Sequence, residues 1–79
     1  MQTIERCFGM VICRFREEKN LSQKAFACLA GIDASYEGRI ERGEVSVTLG
    51  MFQILSASLD IPIERLICLV KRSMQIKPL

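Results

Sequence analysis

The 79-residue sequence has no histidine, only two prolines and no apolar run long enough to cross a membrane. Without histidine, a histidine general base is excluded, and a zinc site would have to rely on widely separated cysteine thiolates. A membrane span needs roughly 18 or more consecutive apolar residues. The first 20 residues also lack the basic and then apolar order of a secretion signal. We therefore expect a cytoplasmic, non-enzymatic protein without metal, cofactor or small-molecule ligand.

The cysteine pattern does not indicate a disulfide framework. The sequence contains Cys7, Cys13, Cys28 and Cys68, with no close C-x-x-C pair. In a secreted chain four cysteines could form two disulfides, but each of these lies within an apolar helical pattern. We expect buried, reduced thiols.

Composition predicts one small folded domain spanning residues 1–79. The chain is 49% hydrophobic and 25% charged, which is typical of a globular protein. A domain near this size hides only roughly 60 to 65% of its unfolded surface, so dimerisation would help its stability. The net charge of +2 is too small to reveal a nucleic-acid binder by itself. A phosphate-binding surface would require basic residues gathered on one side, the candidates being Arg14, Lys19, Lys24, Arg39 and Arg42.

The stretch from Leu21 to Gly43 contains two short helix patterns separated by a glycine turn. Ser22 can cap the first pattern, and Gly31 can adopt the positive φ that often ends a helix. Asp33 opens the second pattern, where its carboxylate can cap the N-terminus. That second helix is only weakly amphipathic, with Ile40 as its one clear apolar anchor. Its exposed side carries Ala34, Ser35, Arg39 and Arg42. The stretch predicts a helix-turn-helix with the second helix as the reader.

The flanking segments predict three further helices. Residues 3–19 carry an apolar stripe of Ile4, Phe8, Val11, Ile12 and Phe15, and Asn20 can end this helix in the left-handed conformation. Thr48 is a candidate N-cap for a fourth helix whose inward side carries Leu49, Phe52, Leu55 and Leu59. Pro62 can open a fifth helix. The five helices are expected over residues 3–19, 22–30, 33–42, 48–58 and 62–74.

The fifth helix is apolar on nearly every side, and Ile54 on the fourth does not fit the inward stripe. These features predict a two-fold dimer interface formed by Ile54, Leu66, Leu69 and Val70. The alternative is a terminal helix packed on two sides within its own core. Burial of Ile54 and Leu69 only in the presence of a second subunit would favour the dimer.

Several motifs in register carry a family resemblance. Leu-Ser-Gln at 21–23, Leu-Ala-Gly-Ile at 29–32 and Arg-Ile-Glu-Arg-Gly at 39–43 resemble the Xre family, which includes Cro and the phage repressors. The likeness extends from about Phe8 to Ile67. It implies an all-α, five-helix lambda-repressor-like domain that regulates transcription as a homodimer on an inverted repeat in double-stranded DNA. The small controller proteins of restriction-modification systems are members of similar length.

The resemblance also implies roles for individual residues. The base-facing positions match Ala34, Ser35 and Arg39, and the positions that touch phosphates or brace neighbours match Gln23, Tyr36 and Arg42. Ser22, at the N-terminus of the second helix, is a further phosphate candidate. The family also pairs the positions of Arg16 and Glu41. For Tyr36 the alternative is packing against the core edge, and for Arg42 a plain surface charge.

Two residues depart from the family pattern. Glu37 occupies a position that is ordinarily apolar, and it is expected either to pair with a basic neighbour or to face DNA. Gly38 costs roughly 1 kcal/mol relative to alanine inside a helix, which suggests that it permits a close approach to the groove wall. The competing function is an antitoxin or other protein-interaction module whose C-terminal helix binds a partner protein. Salt-sensitive duplex binding would separate the two.

Overall fold

A computed structural model describes residues 3–74, which fold into five α-helices without strands. The helices are α1 (Ile4–Glu18), α2 (Gln23–Ala30), α3 (Ala34–Glu41), α4 (Leu49–Ser58) and α5 (Ile63–Ser73). This confirms the predicted all-α, five-helix fold. Residues 1–2 and 75–79 of the predicted domain lie outside the described residues. Within residues 3–74, no helix combines the length and apolar character that a bilayer span requires.

Local sequence signals set the helix boundaries. The Thr48 hydroxyl accepts a 3.0 Å hydrogen bond from the Met51 N–H, as the predicted N-cap of α4. Asn20 has a φ of 58°, so the turn after α1 uses the left-handed conformation that the sequence indicated. Asp60 repeats this geometry after α4, with a φ of 59°. Pro62 is the N-cap residue of α5 rather than a residue within its first turn.

The hydrophobic core lies between all five helices. α1 packs against α3 and α5, α2 packs against α3 and α4, and α4 packs against α5. The rings of Phe8 and Phe52 meet with their centroids 4.9 Å apart. The buried cluster consists of Cys7, Phe8, Val11, Ile12, Phe26, Ile40, Leu55, Leu59, Leu66 and Val70.

α1 and α3 touch through their backbones. A Cβ atom at Gly9 would overlap the carbonyl oxygen of Ile40 and would lie 2.6 Å from that of Glu41. Because carbonyl oxygens cannot move aside as a flexible side chain can, only glycine fits at this crossing. The base of α3 is therefore held directly against α1.

Several predictions of burial were wrong. Leu49 is 85% exposed and Ile4 is 56% exposed, since each is the first residue of its helix and lies beyond the packed part of the interface. All four cysteine thiols are free, but Cys28 and Cys68 are exposed and Cys13 is only half-buried. Cys7 alone is in the core. The spacing of apolar residues assigned these positions to the inward face of their helices. It could not show whether a neighbouring helix extends far enough to cover them.

Candidate nucleic-acid interface

The N-terminus of α2 is capped by Ser22. Its hydroxyl oxygen accepts a 3.0 Å hydrogen bond from the Ala25 N–H, and Ser22 itself remains exposed. Gln23 is half-buried, and its Nε2 donates to Oε1 of Glu41 at 3.0 Å. Ser22 is therefore accessible to a phosphate oxygen, whereas Gln23 already joins α2 to the end of α3.

The turn between α2 and α3 follows the predicted geometry with one difference. Gly31 has a φ of 74° and ends α2, and the half-buried Ile32 packs against the core. Asp33 is the N-cap residue of α3, but its side chain makes no capping hydrogen bond. The predicted carboxylate cap was thus wrong in this detail, since Asp33 is the N-cap residue but its exposed side chain accepts no hydrogen bond from the first turn. Its charge still lies near the positive end of the helix dipole.

α3 has a buried inner side and an exposed outer side. The inner side is formed by Glu37, Gly38 and Ile40. Ser35 and Arg39 are exposed, and the side chain of Arg39 keeps 54% of its surface open to solvent. Ala34 and Tyr36 are half-buried, and Tyr36 packs against the core, as the alternative interpretation of this residue expected. The outer side therefore offers polar hydrogen-bonding groups on a helix anchored from behind.

Gly38 serves the packing of α3 rather than an approach to DNA. It is buried, and a Cβ atom there would lie 3.1 Å from Nη1 of Arg42 and 3.4 Å from Oε1 of Gln23. The predicted role at the groove wall was therefore wrong, because the space above Gly38 is filled by the protein's own side chains.

Arg16 and Glu41 form a two-pronged ion pair that joins α1 to the C-terminal end of α3. Nε of Arg16 lies 2.7 Å from Oε2 of Glu41, and Nη2 lies 3.0 Å from Oε1. Nη1 of Arg16 donates to the backbone carbonyl of Leu21 at 2.7 Å, and Nη2 also reaches Sγ of Cys13 at 3.5 Å. The two charged side chains are 11% and 5% exposed. Bidentate geometry and burial make this the main polar link behind α3.

Glu37 is buried in the inner side of α3 beside this ion pair. The residue is fully buried, and neither carboxyl oxygen has a hydrogen-bond donor. Burial raises the pKa of Glu37 to about 9, and the neighbouring Glu41 carboxylate adds to the increase. Among residues 3–74, Glu37 therefore forms no hydrogen bond with a basic residue, and it is buried rather than exposed to DNA. In the family that the sequence resembles, this position is ordinarily apolar, and that was the signal for the burial of Glu37.

The pKa values of the groups around Glu37, namely Glu41, Arg16 and Cys13, are also shifted. Burial alone would raise the pKa of Glu41, but the hydrogen bonds from Arg16 and Gln23 and the charge of Arg16 outweigh it and lower the pKa to about 2. The hydrogen bond with Glu41 raises the pKa of Arg16. Burial raises the pKa of the Cys13 thiol, and the Glu41 charge adds to this increase. The ion pair is therefore fully charged at neutral pH.

The arginines near the C-terminal end of α3 meet an exposed acid. Nε of Arg42 lies 2.7 Å from Oε2 of Glu44, and Nε of Arg39 lies 4.0 Å from Oε1 of the same carboxylate. All three side chains are about half exposed, at 58%, 54% and 49% for Arg42, Arg39 and Glu44. Glu44 was not among the sequence-predicted site residues, because its position in the loop after α3 did not show that it folds back.

The proposed dimer surface on α4 and α5 divides into exposed and buried parts. Ile54 is 42% exposed, and Leu69 is half-buried. Leu66 and Val70 are buried in the core of the single chain, so their prediction as interface residues was wrong. They lie on the side of α5 that faces α1 and α4, whereas the exposed apolar residue of the helix is Ile67, at 47%.

Comparison with known proteins identifies the family. The helix-turn-helix family model matches residues 14–66, a segment that contains α2, the turn and α3. The chain therefore belongs to the helix-turn-helix family, which confirms the type of regulator that the sequence motifs indicated.

Its similarities extend to particular relatives. The chain is 36% identical over 67 residues to control protein C.MunI of Mycoplasma sp, covering 84% of this chain and 90% of the relative. It is 39% identical to the restriction-modification controller protein C.AhdI from Aeromonas hydrophila, with a TM-score of 0.74 over 77% of this chain and 92% of that chain. The clp gene regulator ClgR from C. glutamicum shares the fold at 17% identity, with a TM-score of 0.88 over 98% of this chain and 100% of that chain.

Proposed function

We propose that this chain is a sequence-specific regulator of transcription that binds an inverted-repeat operator in double-stranded DNA as a homodimer. The observation that carries the proposal is the two-sided α3, whose outer side exposes Ser35 and Arg39 while its inner side is tied to α1 and α2. The major groove of B-DNA admits one α-helix, and each base pair displays a distinct pattern of donors and acceptors there. Residues 1–79 act as one DNA-binding domain in this proposal.

The outer side of α3 supplies the base contacts. Arg39 presents a two-pronged donor that suits O6 and N7 of guanine, and Ser35 can donate or accept a hydrogen bond. The methyl group of Ala34, at the border of the exposed side, suits a thymine methyl group. Arg39 is the main determinant of specificity in this arrangement.

The surroundings of α3 supply phosphate contacts. Ser22 lies at the N-terminus of α2, where the helix dipole favours an anion, and Arg42 provides a half-exposed positive charge. Gln23, at the N-terminus of α2, and Tyr36, in the first turn of α3, contribute from half-buried positions. Most of their energy would be independent of the DNA sequence.

The second subunit packs on α4 and α5. Ile54 and Leu69 supply apolar contacts in this interface, and Ile67 extends them on α5. A two-fold dimer places its reading helices about 34 to 36 Å apart, which matches half-sites one turn of DNA apart.

The similarity to C.MunI and C.AhdI supports a more specific role as a controller of restriction-modification genes. Both relatives are named as control proteins, and both are similar to this chain over most of its length. Such a role is regulatory rather than enzymatic, and it places the protein in the cytoplasm, associated with the nucleoid.

The proposal is tested by selecting bound duplexes from a random pool. We expect the selected sites to have two-fold symmetry. With the selected duplex, Arg39→Ala should lose about 1 to 3 kcal/mol of discrimination at one base position. Arg42→Ala should weaken binding to matched and scrambled duplexes alike. It should also reduce the slope of log affinity against log salt concentration by about one, as expected for the loss of one phosphate contact. Arg65→Ala removes the same charge from α5 and serves as the control. Asymmetric sites, or equal losses on both duplexes for Arg39→Ala, would contradict the proposal.

A further inference from the structure

We propose that Glu37 is a neutral carboxylic acid whose O–H donates a hydrogen bond to the Glu41 carboxylate and thereby positions α3, so that alkali weakens the helix-turn-helix unit. The inference rests on the proposed function only in treating α3 as the reading helix. Its physical content concerns one proton on the inner side of that helix.

The burial of Glu37 favours its neutral form. The residue has no exposed surface, and neither of its carboxyl oxygens meets a hydrogen-bond donor. An ionised carboxylate in such a place would lose its hydration without compensation, a cost that buried acids normally avoid by taking up a proton. Burial of a neutral acid is far less costly, particularly when its O–H finds an acceptor.

Arg16 and Gln23, which bond to the neighbouring Glu41, form no hydrogen bond with Glu37 among the described residues. Arg16, from α1, directs its N–H groups to Glu41, to the Leu21 carbonyl and to the Cys13 thiol. Gln23, from α2, donates its amide to Glu41. Protonation would give Glu37 a donor of its own, and Glu41, one turn further along the same helix, is an acceptor. Two carboxyl groups can share a hydrogen bond only if one of them carries a proton.

The hydrogen bonds that each carboxyl group receives decide whether Glu37 or Glu41 holds that proton. Glu41 receives two hydrogen bonds from Arg16 and one from Gln23, all of which favour its charged form. Glu37 receives none. The proton therefore stays on Glu37 and points to Glu41, so that Glu41 accepts from α1, α2 and α3 together. Glu37 is a positioning residue, because it acts on the outer side of α3 through Glu41.

The pH dependence follows from proton linkage. The pKa of Glu37 is raised in the folded protein from 4.5 to about 9, so between these values the folded state holds a proton that the unfolded state has released. The stabilising contribution is thus fully present below pH 4.5 and is lost as the pH rises toward 9. One proton changes the folding equilibrium constant by at most a factor of about ten per pH unit. Cys13, on α1, is the other group of the cluster that titrates toward alkaline pH.

The test compares Glu37→Gln with the wild-type protein in urea unfolding between pH 5 and 9. Glutamine keeps the shape and the donor but cannot ionise. We expect the folding equilibrium constant of the wild-type protein to fall relative to that of Glu37→Gln, by up to about tenfold per pH unit. Glu18→Gln, at an exposed acid of α1, should retain the wild-type pH profile. Parallel pH profiles for Glu37→Gln and wild type would overturn the proposal.

Two further measurements separate the proton from its role in positioning. Carbon-13 NMR of the wild-type protein with labelled glutamate carboxyls should show Glu37 neutral at pH 7, and an ionised signal would overturn the proposal even if a variant failed to fold. Glu37→Leu also removes the charge but offers no donor. We expect tighter duplex binding by Glu37→Gln than by Glu37→Leu, and equal binding by both would overturn the positioning role. If no variant binds any duplex while the pH profiles still differ, the proposed function fails and the protonated state of Glu37 stands.

Discussion

Two arginine–glutamate pairs lie near the C-terminal end of α3, with equal distances and very different surroundings. Arg16 and Glu41 are 2.7 Å apart with side chains only 11% and 5% exposed. Arg42 and Glu44 are also 2.7 Å apart, but their side chains are 58% and 49% exposed. The shortest nitrogen–oxygen distance therefore does not show how much an ion pair contributes to holding α3 in place. The buried pair holds α3 in place, whereas the exposed pair can open when another anion, such as a DNA phosphate, approaches.

The largest difference between the pairs should be seen when one arginine is removed. Arg16→Met should lower the free energy of unfolding by about 3 to 5 kcal/mol, because it leaves the Glu41 charge buried without its main partner. Arg42→Met, the matched change in the exposed pair, should lower the free energy of unfolding far less, because both charges of that pair are exposed to water. Urea unfolding at neutral pH measures both. Equal losses would contradict the proposed division between a structural and a surface pair.

A smaller but still clear difference should appear in acid. The pKa of Glu41 is lowered in the folded protein from 4.5 to about 2, so its stabilising contribution is present above pH 4.5 and is lost as the pH falls toward 2. The loss should reach at most about 3 to 4 kcal/mol in acid unfolding experiments. Glu41→Gln should flatten the pH dependence in this range, whereas Glu44→Gln should leave most of it. An unchanged acid profile for Glu41→Gln would show that the pair does not control it.

The smallest effect concerns DNA affinity. Glu44 holds Arg42 and lies near Arg39, so Glu44→Gln should free both for phosphates or bases and remove a charge that repels DNA. We expect up to about fivefold tighter binding to matched and scrambled duplexes alike, because an exposed ion pair is weak and is readily exchanged for a contact with DNA. Fluorescence anisotropy at several salt concentrations measures this change. Weaker binding would indicate that Glu44 orients the arginines productively.

The elements that sequence predicted well are those set by local chemistry. Thr48 and Ser22 cap the helices that follow them, and Gly31 and Asn20 adopt the positive φ angles that their residue types tolerate. Each of these features depends on only a few neighbouring residues, so the local sequence is enough to predict it. The Arg16 contact with Glu41 is different, since these residues are 25 positions apart and their pairing came from the family resemblance.

The elements that sequence predicted poorly depend on where other helices lie. α5 carries apolar residues on two sides, and periodicity alone could not show that Leu66 and Val70 face the core while Ile67 faces outward. Leu49 continues the apolar pattern of α4 but lies beyond the interface that would cover it. At Glu37 the conflict was between residue type and position. A glutamate normally indicates a surface site, and here the packing of α3 against α1 and α2 decided the outcome.

The contact at Gly9 bears on how readily this protein can change its preferred operator. Because the backbones of α1 and α3 meet there without an intervening side chain, main-chain atoms help to fix the angle at which α3 projects. Substitutions at the outward positions 35 and 39 can therefore alter which bases are favoured without tilting the helix. Single substitutions on the outer side of α3 can thus change the preferred operator, while the packing of α3 against α1 stays the same.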